Sequence, residues 1–180
     1  REWALGTQVP VVLLSRKGSY QGQLVGAAGK KRAGRLRAQL DVGPDKSLIV
    51  ARELLRGKLV KQAVLLRHFT RDTNAAQVGS AAAEIGALTA MLDAATTPEE
   101  LMGLEGAAAR RYFEAWQALL PVELGFSGRN RQPPLDVVNA ALGYGYAVLL
   151  GECTAALMAC GLEPALGCLH AESRDQPALA

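Results

Sequence analysis

One carboxylate in this chain stands on the apolar side of a helix. Residues 98–120 read as a single amphipathic helix with the apolar positions Leu101, Ala108, Ala109, Tyr112, Trp116 and Leu119. At about 100° per residue all of these fall within about 60° of Glu105. Glu99, Glu100, Arg110, Arg111, Glu114 and Gln117 gather on the opposite side. An unpaired buried charge costs several kcal/mol, so Glu105 is expected to be paired, protonated or holding a metal ion. Gly103, Gly106, Ala107 and Ala108 surround it with small side chains, which let a neighbouring backbone approach and leave room for an ion or substrate. The plainer alternative is a pairing Arg or Lys. In this half of the chain Arg110 and Arg111 face away, and Arg129 and Arg131 lie in a loop.

His170 is the second candidate. It ends the apolar stretch Leu166-Gly167-Cys168-Leu169. A lone histidine in such a place is more often structural. Together with an inward carboxylate it makes a ligand pair for Mn²⁺ or Mg²⁺, and two protein ligands call for a third. Asp175 sits among polar residues and is not counted; His68, at the end of a basic helix, reads as surface. The third candidate is the loop Gly128-Arg129-Asn130-Arg131-Gln132-Pro133-Pro134. Its two arginines, held by a glycine and a stiff diproline, could grip phosphates or, equally, satisfy helix ends and nearby acids.

Charge is divided unevenly. Residues 1–71 carry fifteen lysines and arginines against four acids, a formal +11, whereas residues 72–180 carry five bases against thirteen acids, a formal −8. Such a split suits a polyanion on one part of the molecule, or two opposite surfaces that pack on each other. Cys153, Cys160 and Cys168 form an odd set without metal-like spacing, and are expected to be reduced, buried thiols of a cytoplasmic protein. No signal peptide is visible. The run 137–160 is long enough to span a bilayer, but it contains Asn139, Glu152 and several glycines and has no basic flanks, so it is expected to be a buried central helix.

The positioning elements follow from periodicity. Residues 9–15 and 20–25 read as two adjacent strands, too few to be stable alone. The basic segment 29–37 is expected to be a mobile loop. Asp45 caps a helix over 46–67 with the apolar face Leu48, Ile49, Leu55, Leu59, Ala63 and Leu66, decorated by Arg52, Arg56, Lys58, Lys61 and Arg67. A second, alanine-rich helix covers 74–92. Thr97, Pro98 and Glu100 form a strong start for the Glu105 helix. Asp136 caps the apolar helix, which ends at Gly161. The fold class is mainly α: a small β piece with a basic linker, residues 1–43, followed by an all-helical domain, residues 44–180. Arg1 is no initiator methionine, and the chain is expected to be an internal piece of a longer protein.

Four collinear blocks carry a family resemblance. Leu104-Glu105-Gly106-Ala107-Ala108-Ala109-Arg110-Arg111-Tyr112-Phe113 resembles the signature helix of CRISPR-associated protein one, the metal-dependent DNA integrase of CRISPR adaptation. The segment from Gly128-Arg129-Asn130-Arg131 through Pro133-Pro134 to Asp136 and Asn139 is similar to the family's Gly-Arg…Pro-Pro…Asp…Asn block. Gly161-Leu162-Glu163-Pro164 through His170 resembles the segment ending in its metal-binding histidine, and residues 9–22 resemble the last part of its N-terminal β domain.

The resemblance implies that residues 44–180 are a helical catalytic domain preceded by the remnant of a small β domain, residues 1–43, in a homodimeric endonuclease and integrase with Glu105 and His170 as catalytic metal ligands for Mn²⁺ or Mg²⁺. It also implies a third, acidic ligand expected beyond Ala180, after the Pro-x-Leu-Ala-like stretch Pro177-Ala178-Leu179-Ala180. Its DNA partners would be double-stranded prespacer and CRISPR repeat, its protein partner CRISPR-associated protein two, and Arg129 and Arg131 are the hypothesised DNA contacts. Cys168 in place of an aromatic, Gln132 in place of a base and Val137 in place of a proline depart from the family pattern. The competing reading is a non-catalytic DNA-binding scaffold of the same fold, in which Glu105 is structural and lies against a cation.

Overall fold

The computed structural model describes residues 2–7, 9, 11–16, 20–24, 32–73, 76–169 and 177–179. In chain order these form helix α1 (Glu2–Gly6), strands β1 (Val11–Leu14) and β2 (Tyr20–Leu24), and helices α2 (Arg32–Leu40), α3 (Pro44–Thr73), α4 (Ala76–Met91), α5 (Pro98–Leu119) and α6 (Val137–Ala159). Short 3-10 turns at Leu92–Ala94 and Val122–Leu124 follow α4 and α5. The protein is mainly α with one small antiparallel sheet, as the periodicity predicts. It divides into two compact units, Asp45–Ala140 and, together, Arg1–Pro44 with Ala141–Ala180.

The core of the unit Asp45–Ala140 comes from three helical stripes. Ala51, Leu55, Leu59, Ala63 and Leu66 recur every three to four residues along α3 and are buried. Val78, Ala81, Ala82 and Ile85 do the same on α4, and Leu101, Ala108, Tyr112 and Ala115 on α5. Small residues on α4 admit its neighbour: a Cβ built on Gly79 would lie 3.7 Å from Thr70 Cγ2, and one on Gly86 would lie 3.6 Å from Arg67 Nη2. Two arginines tie α3 to the segment after α4. Arg52 Nη2 donates to the Ala95 carbonyl at 2.8 Å, and Arg56 Nη2 meets Asp93 Oδ1 at 2.6 Å. Helix α3 runs beyond the expected 46–67 at both ends, and Ile49, placed by periodicity on its apolar face, is instead exposed.

In the other unit β1 and β2 form a hairpin, with a register irregularity between Leu13 and Leu14. The basic segment expected as a mobile loop is helical from Arg32 onward. Leucine, alanine, arginine and glutamine are good helix formers, and they outweigh Gly34. This helix also satisfies the end of α6: Arg35 Nη1 donates to the Cys160 carbonyl at 2.7 Å. Gln39 Nε2 donates to the Glu163 carbonyl, and Gln39 Oε1 accepts the Glu163 amide, both at 2.8 Å. Gly161, at φ 76°, ends α6 in a Schellman motif. Its amide donates to the Met158 carbonyl and the Leu162 amide to the Leu157 carbonyl, each at 2.9 Å.

Two further expectations are corrected. Helix α6 forms where expected but is not a buried central helix, since Tyr144, Tyr146, Leu149 and Leu150 are exposed. It is apolar on every side, and one chain does not supply neighbours for every side. Among the described residues it is the helix long and apolar enough to cross a membrane, by length and composition alone. The three cysteines are free thiols, but none is buried: Cys153 and Cys168 are half-exposed and Cys160 is exposed.

Candidate active site

The Glu105 helix begins at a capping box. Thr97 Oγ1 accepts the Glu100 amide at 3.2 Å, while Glu100 Oε2 accepts the Thr97 amide at 3.3 Å and the Thr96 amide at 2.6 Å. These bonds, led by the Thr96 amide, hold the Glu100 carboxyl below the ordinary carboxylate range. With the helix start pinned, Leu101, Ala108, Tyr112 and Ala115 point into the core, and Glu105 falls at the margin of that stripe. Tyr112, Trp116 and Phe126 continue the packing as an edge-to-face pair and a tilted pair, with centroids 5.6 and 6.3 Å apart respectively.

Glu105 is therefore not deeply buried. Its side chain is 24% exposed, and its Oε1 is in contact with Lys58 Nζ from the middle of α3. Periodicity places Lys58 among the surface decoration of α3 and leaves few cations for Glu105, whereas the fold supplies one from 47 residues upstream. The lysine side chain is 46% exposed. Ion pairs this open to water contribute about 0–1 kcal/mol, so the pair does little to hold the fold together. Nor do the glycines beside Glu105 admit a close backbone: a Cβ on Gly103 or Gly106 would meet nothing within 4 Å. Both glycines line an open groove of about 680 Å³ between α4 and α5, with Leu88, Met91 and Met102; Glu105 is not among its walls.

As a donor, Glu105 suits a hard divalent cation. It is a carboxylate reachable from water that already has a positive charge against it. The other expected ligand, His170, lies outside the described residues, as does Asp175. Among the described residues no three His, Cys, Asp or Glu side chains are grouped to hold a metal ion. His68 is exposed, as expected.

The arginine loop is organised by a residue to which the sequence alone assigns no role. Asn139, on the first turn of α6, is buried at 1% exposure. Its Oδ1 accepts from Arg129 Nη1 at 3.0 Å and from the Asn130 amide at 2.9 Å. Its Nδ2 donates to the Gly128 carbonyl at 2.9 Å and to Asp136 Oδ2 at 2.6 Å. Asp136 caps the helix by accepting the Asn139 amide at 2.7 Å, and that bond leads the causes holding its carboxyl below the ordinary range. Gly128 sits at φ 132°, a conformation that favours glycine. Arg129 also donates to the Asn130 carbonyl, so its guanidinium is engaged within the loop, whereas Arg131 is exposed. The available signal for Asn139 was a lone amide in an apolar helix, three residues after an acidic cap.

Comparison with known proteins places this geometry. The family model described as CRISPR associated protein Cas1 matches residues 2–180. The "CRISPR-associated endonuclease Cas1 1" of Thermus thermophilus is 41% identical over 173 residues, covering 96% of this chain and 50% of that protein. A namesake from Archaeoglobus fulgidus is 31% identical over 198 residues, covering 98% of this chain and 56% of that protein. The chain thus spans about half the length of the curated relatives it matches. Among solved structures, a chain of a partial Cas6-RT-Cas1–Cas2 complex superposes with a TM-score of 0.78 at 28% identity, over 99% of this chain and 54% of that one. A casposase bound to integration product shares the fold, with a TM-score of 0.79 at 23% identity over 99% of this chain and 50% of that one.

Proposed function

Because this chain belongs to the CRISPR associated protein Cas1 family, we propose that it is the catalytic part of a metal-dependent DNA endonuclease and integrase of CRISPR adaptation. In the proposed reaction the 3′-hydroxyl of an incoming DNA fragment attacks a phosphodiester of the CRISPR repeat. A new P–O bond forms, and the bond to the displaced strand's 3′-oxygen breaks, leaving that strand with a hydroxyl. Water as the nucleophile gives cleavage instead. Glu105 and His170 would hold a Mn²⁺ or Mg²⁺ ion, which when bound supplies positive charge to the phosphoryl oxygens in the transition state. Cationic side chains of residues 1–71 and the exposed Arg131 bind duplex phosphates in this reading, while Arg129 shapes its loop.

The observation that supports this reading best is Glu105 itself: a solvent-reachable carboxylate with a cation against it, in a chain matched along its length by the Cas1 family model. The partners proposed are prespacer and repeat DNA, a second copy of the chain and CRISPR-associated protein two, in the cytoplasm. The 28% identical neighbour belongs to a complex named for Cas1 and Cas2 together, which favours the last of these partners.

The second reading, a non-catalytic DNA-binding scaffold, draws on the same ion pair, since it expects Glu105 to lie against a structural cation. Both side chains are open to water, which favours the first reading. The test is Mn²⁺-dependent cleavage and strand transfer by the intact protein, with Glu105→Ala and Glu105→Gln alongside. Loss of at least about 100-fold in both variants, with duplex binding retained, supports catalysis. Unchanged activity in the variants removes Glu105 from the mechanism, and an intact protein that binds duplex but neither cleaves nor transfers strands leaves the scaffold.

A further inference from the structure

Three cations of α3 face acids or carbonyls of the following helices, and they are not used alike. Arg52 and Arg56 are fixed on the segment after α4 by short bonds to Ala95 and Asp93, and Arg56 is shared with Glu53 at 3.2 Å. Lys58 instead touches the one carboxylate on the margin of the α5 stripe. Its side chain has about twice the fractional exposure of the acid it meets. An ammonium on four methylenes is a compact, strongly hydrated charge that leaves an ion pair easily; a guanidinium fork holds its partner more rigidly. A divalent cation arriving at Glu105 meets a carboxylate that already has a positive charge on one oxygen.

We propose that Lys58 is the resident counter-ion of the Glu105 site, so that a divalent ion must displace its ammonium and this lysine sets the affinity of the metal-free protein for metal. The inference rests on the reading of Glu105 as a metal ligand. Lys58 is a positioning residue here: it holds the Glu105 carboxylate by its Oε1, and it lowers the protein's hold on metal by competition and like-charge repulsion.

The test is Mn²⁺ binding to the intact protein without DNA, read from the loss of the free Mn²⁺ electron paramagnetic resonance signal. Wild type is compared with Lys58→Met, Lys58→Gln, Lys58→Arg and Glu105→Gln. The two neutral variants are expected to bind Mn²⁺ about ten-fold tighter at low ionic strength, with the gain shrinking in high salt. Lys58→Arg should bind Mn²⁺ no tighter than wild type, because it keeps the charge and its fork holds the carboxylate more rigidly, and Glu105→Gln should lose the site. Equal or weaker binding in both neutral variants, while Glu105→Gln still loses the metal, overturns the role given to Lys58 and leaves Glu105 a ligand. Wild-type binding by Glu105→Gln removes the metal site itself. Agreement between Met and Gln excludes a packing effect peculiar to either side chain.

Discussion

Arg129 Nη1 lies 3.0 Å from Asn139 Oδ1, and the same oxygen accepts the Asn130 amide at 2.9 Å. An asparagine amide can accept two hydrogen bonds and donate two, and Asn139 uses all four on the loop that precedes its own helix. One side chain thereby closes the loop from Gly128 to Asp136 and orients an arginine within it.

Asn139→Ala should therefore be costly. It strands the Gly128 carbonyl and the Asn130 amide in a site that is 1% exposed at Asn139. A destabilisation of about 2 kcal/mol or more is expected, because each buried polar group left unpaired costs about 1–3 kcal/mol. Urea unfolding measures it. A change below about 0.5 kcal/mol would mean that water replaces the amide and that the loop does not depend on Asn139.

Gly161→Ala tests the junction of α2 and α6. The residue sits at φ 76°, and an added Cβ would come 2.9 Å from Arg35 Nη1. The left-handed conformation alone costs a non-glycine residue about 1–2 kcal/mol, and Arg35 must shift from the Cys160 carbonyl as well. Thermal melting should show the loss, and Arg35→Ala in the Gly161→Ala background should recover only the part due to crowding.

The capping box of α5 predicts an ordinary, local effect. Thr97→Ala removes the acceptor for the Glu100 amide and should cost about 1 kcal/mol. Thr97→Ser should restore most of it. An unchanged denaturation midpoint for Thr97→Ala would show that the Glu100 carboxylate by itself is enough to start the helix.

The depressed Asp136 carboxyl fixes the direction of a pH effect. Its proton affinity is lower folded than unfolded, so its contribution to stability is complete above the unfolded value of about 3.9 and disappears as pH falls through the folded value. Melting curves taken between pH 5 and pH 2 should therefore converge for wild type and Asp136→Asn as the medium becomes more acid. Curves that stay parallel over that range would separate Asp136 from the acid response.

Arg131 and Arg129 should separate in DNA binding. Arg131 is exposed, so Arg131→Ala should weaken duplex binding uniformly across sequences. It should reduce the slope of log affinity against log salt by about 0.9 if one phosphate contact is lost. Arg129→Ala should lower thermal stability as well, since its guanidinium bonds to Asn139 and Asn130. An unaltered salt slope in Arg131→Ala would take this loop out of the DNA interface.

Local information settled most of the elements. Thr97-Pro98-Glu100, Asp136 and Gly161 mark helix ends through bonds between residues at most five apart, so they are legible without a fold. The stripe Leu101, Ala108 and Tyr112 is likewise a matter of period, and the four collinear blocks identified the family. Residues 32–37 were misread because their charge suggested a solvated loop, whereas the helix is held by Cys160 and Glu163, more than 120 residues away.

What the sequence determined by itself is helices α4, α5 and α6 and the body of α3, the starts of α5 and α6, the stop at Gly161, and an acid on the apolar side of the α5 period. Only the tertiary structure decided what that acid meets. Periodicity gives an angle around one helix axis, but the depth of Glu105 and the identity of its partner depend on where α3 lies relative to α5, which no period along either helix contains. The same holds for Asn139: its place in an apolar helix was visible, but the four groups that satisfy it come together only once the loop has closed over the helix start.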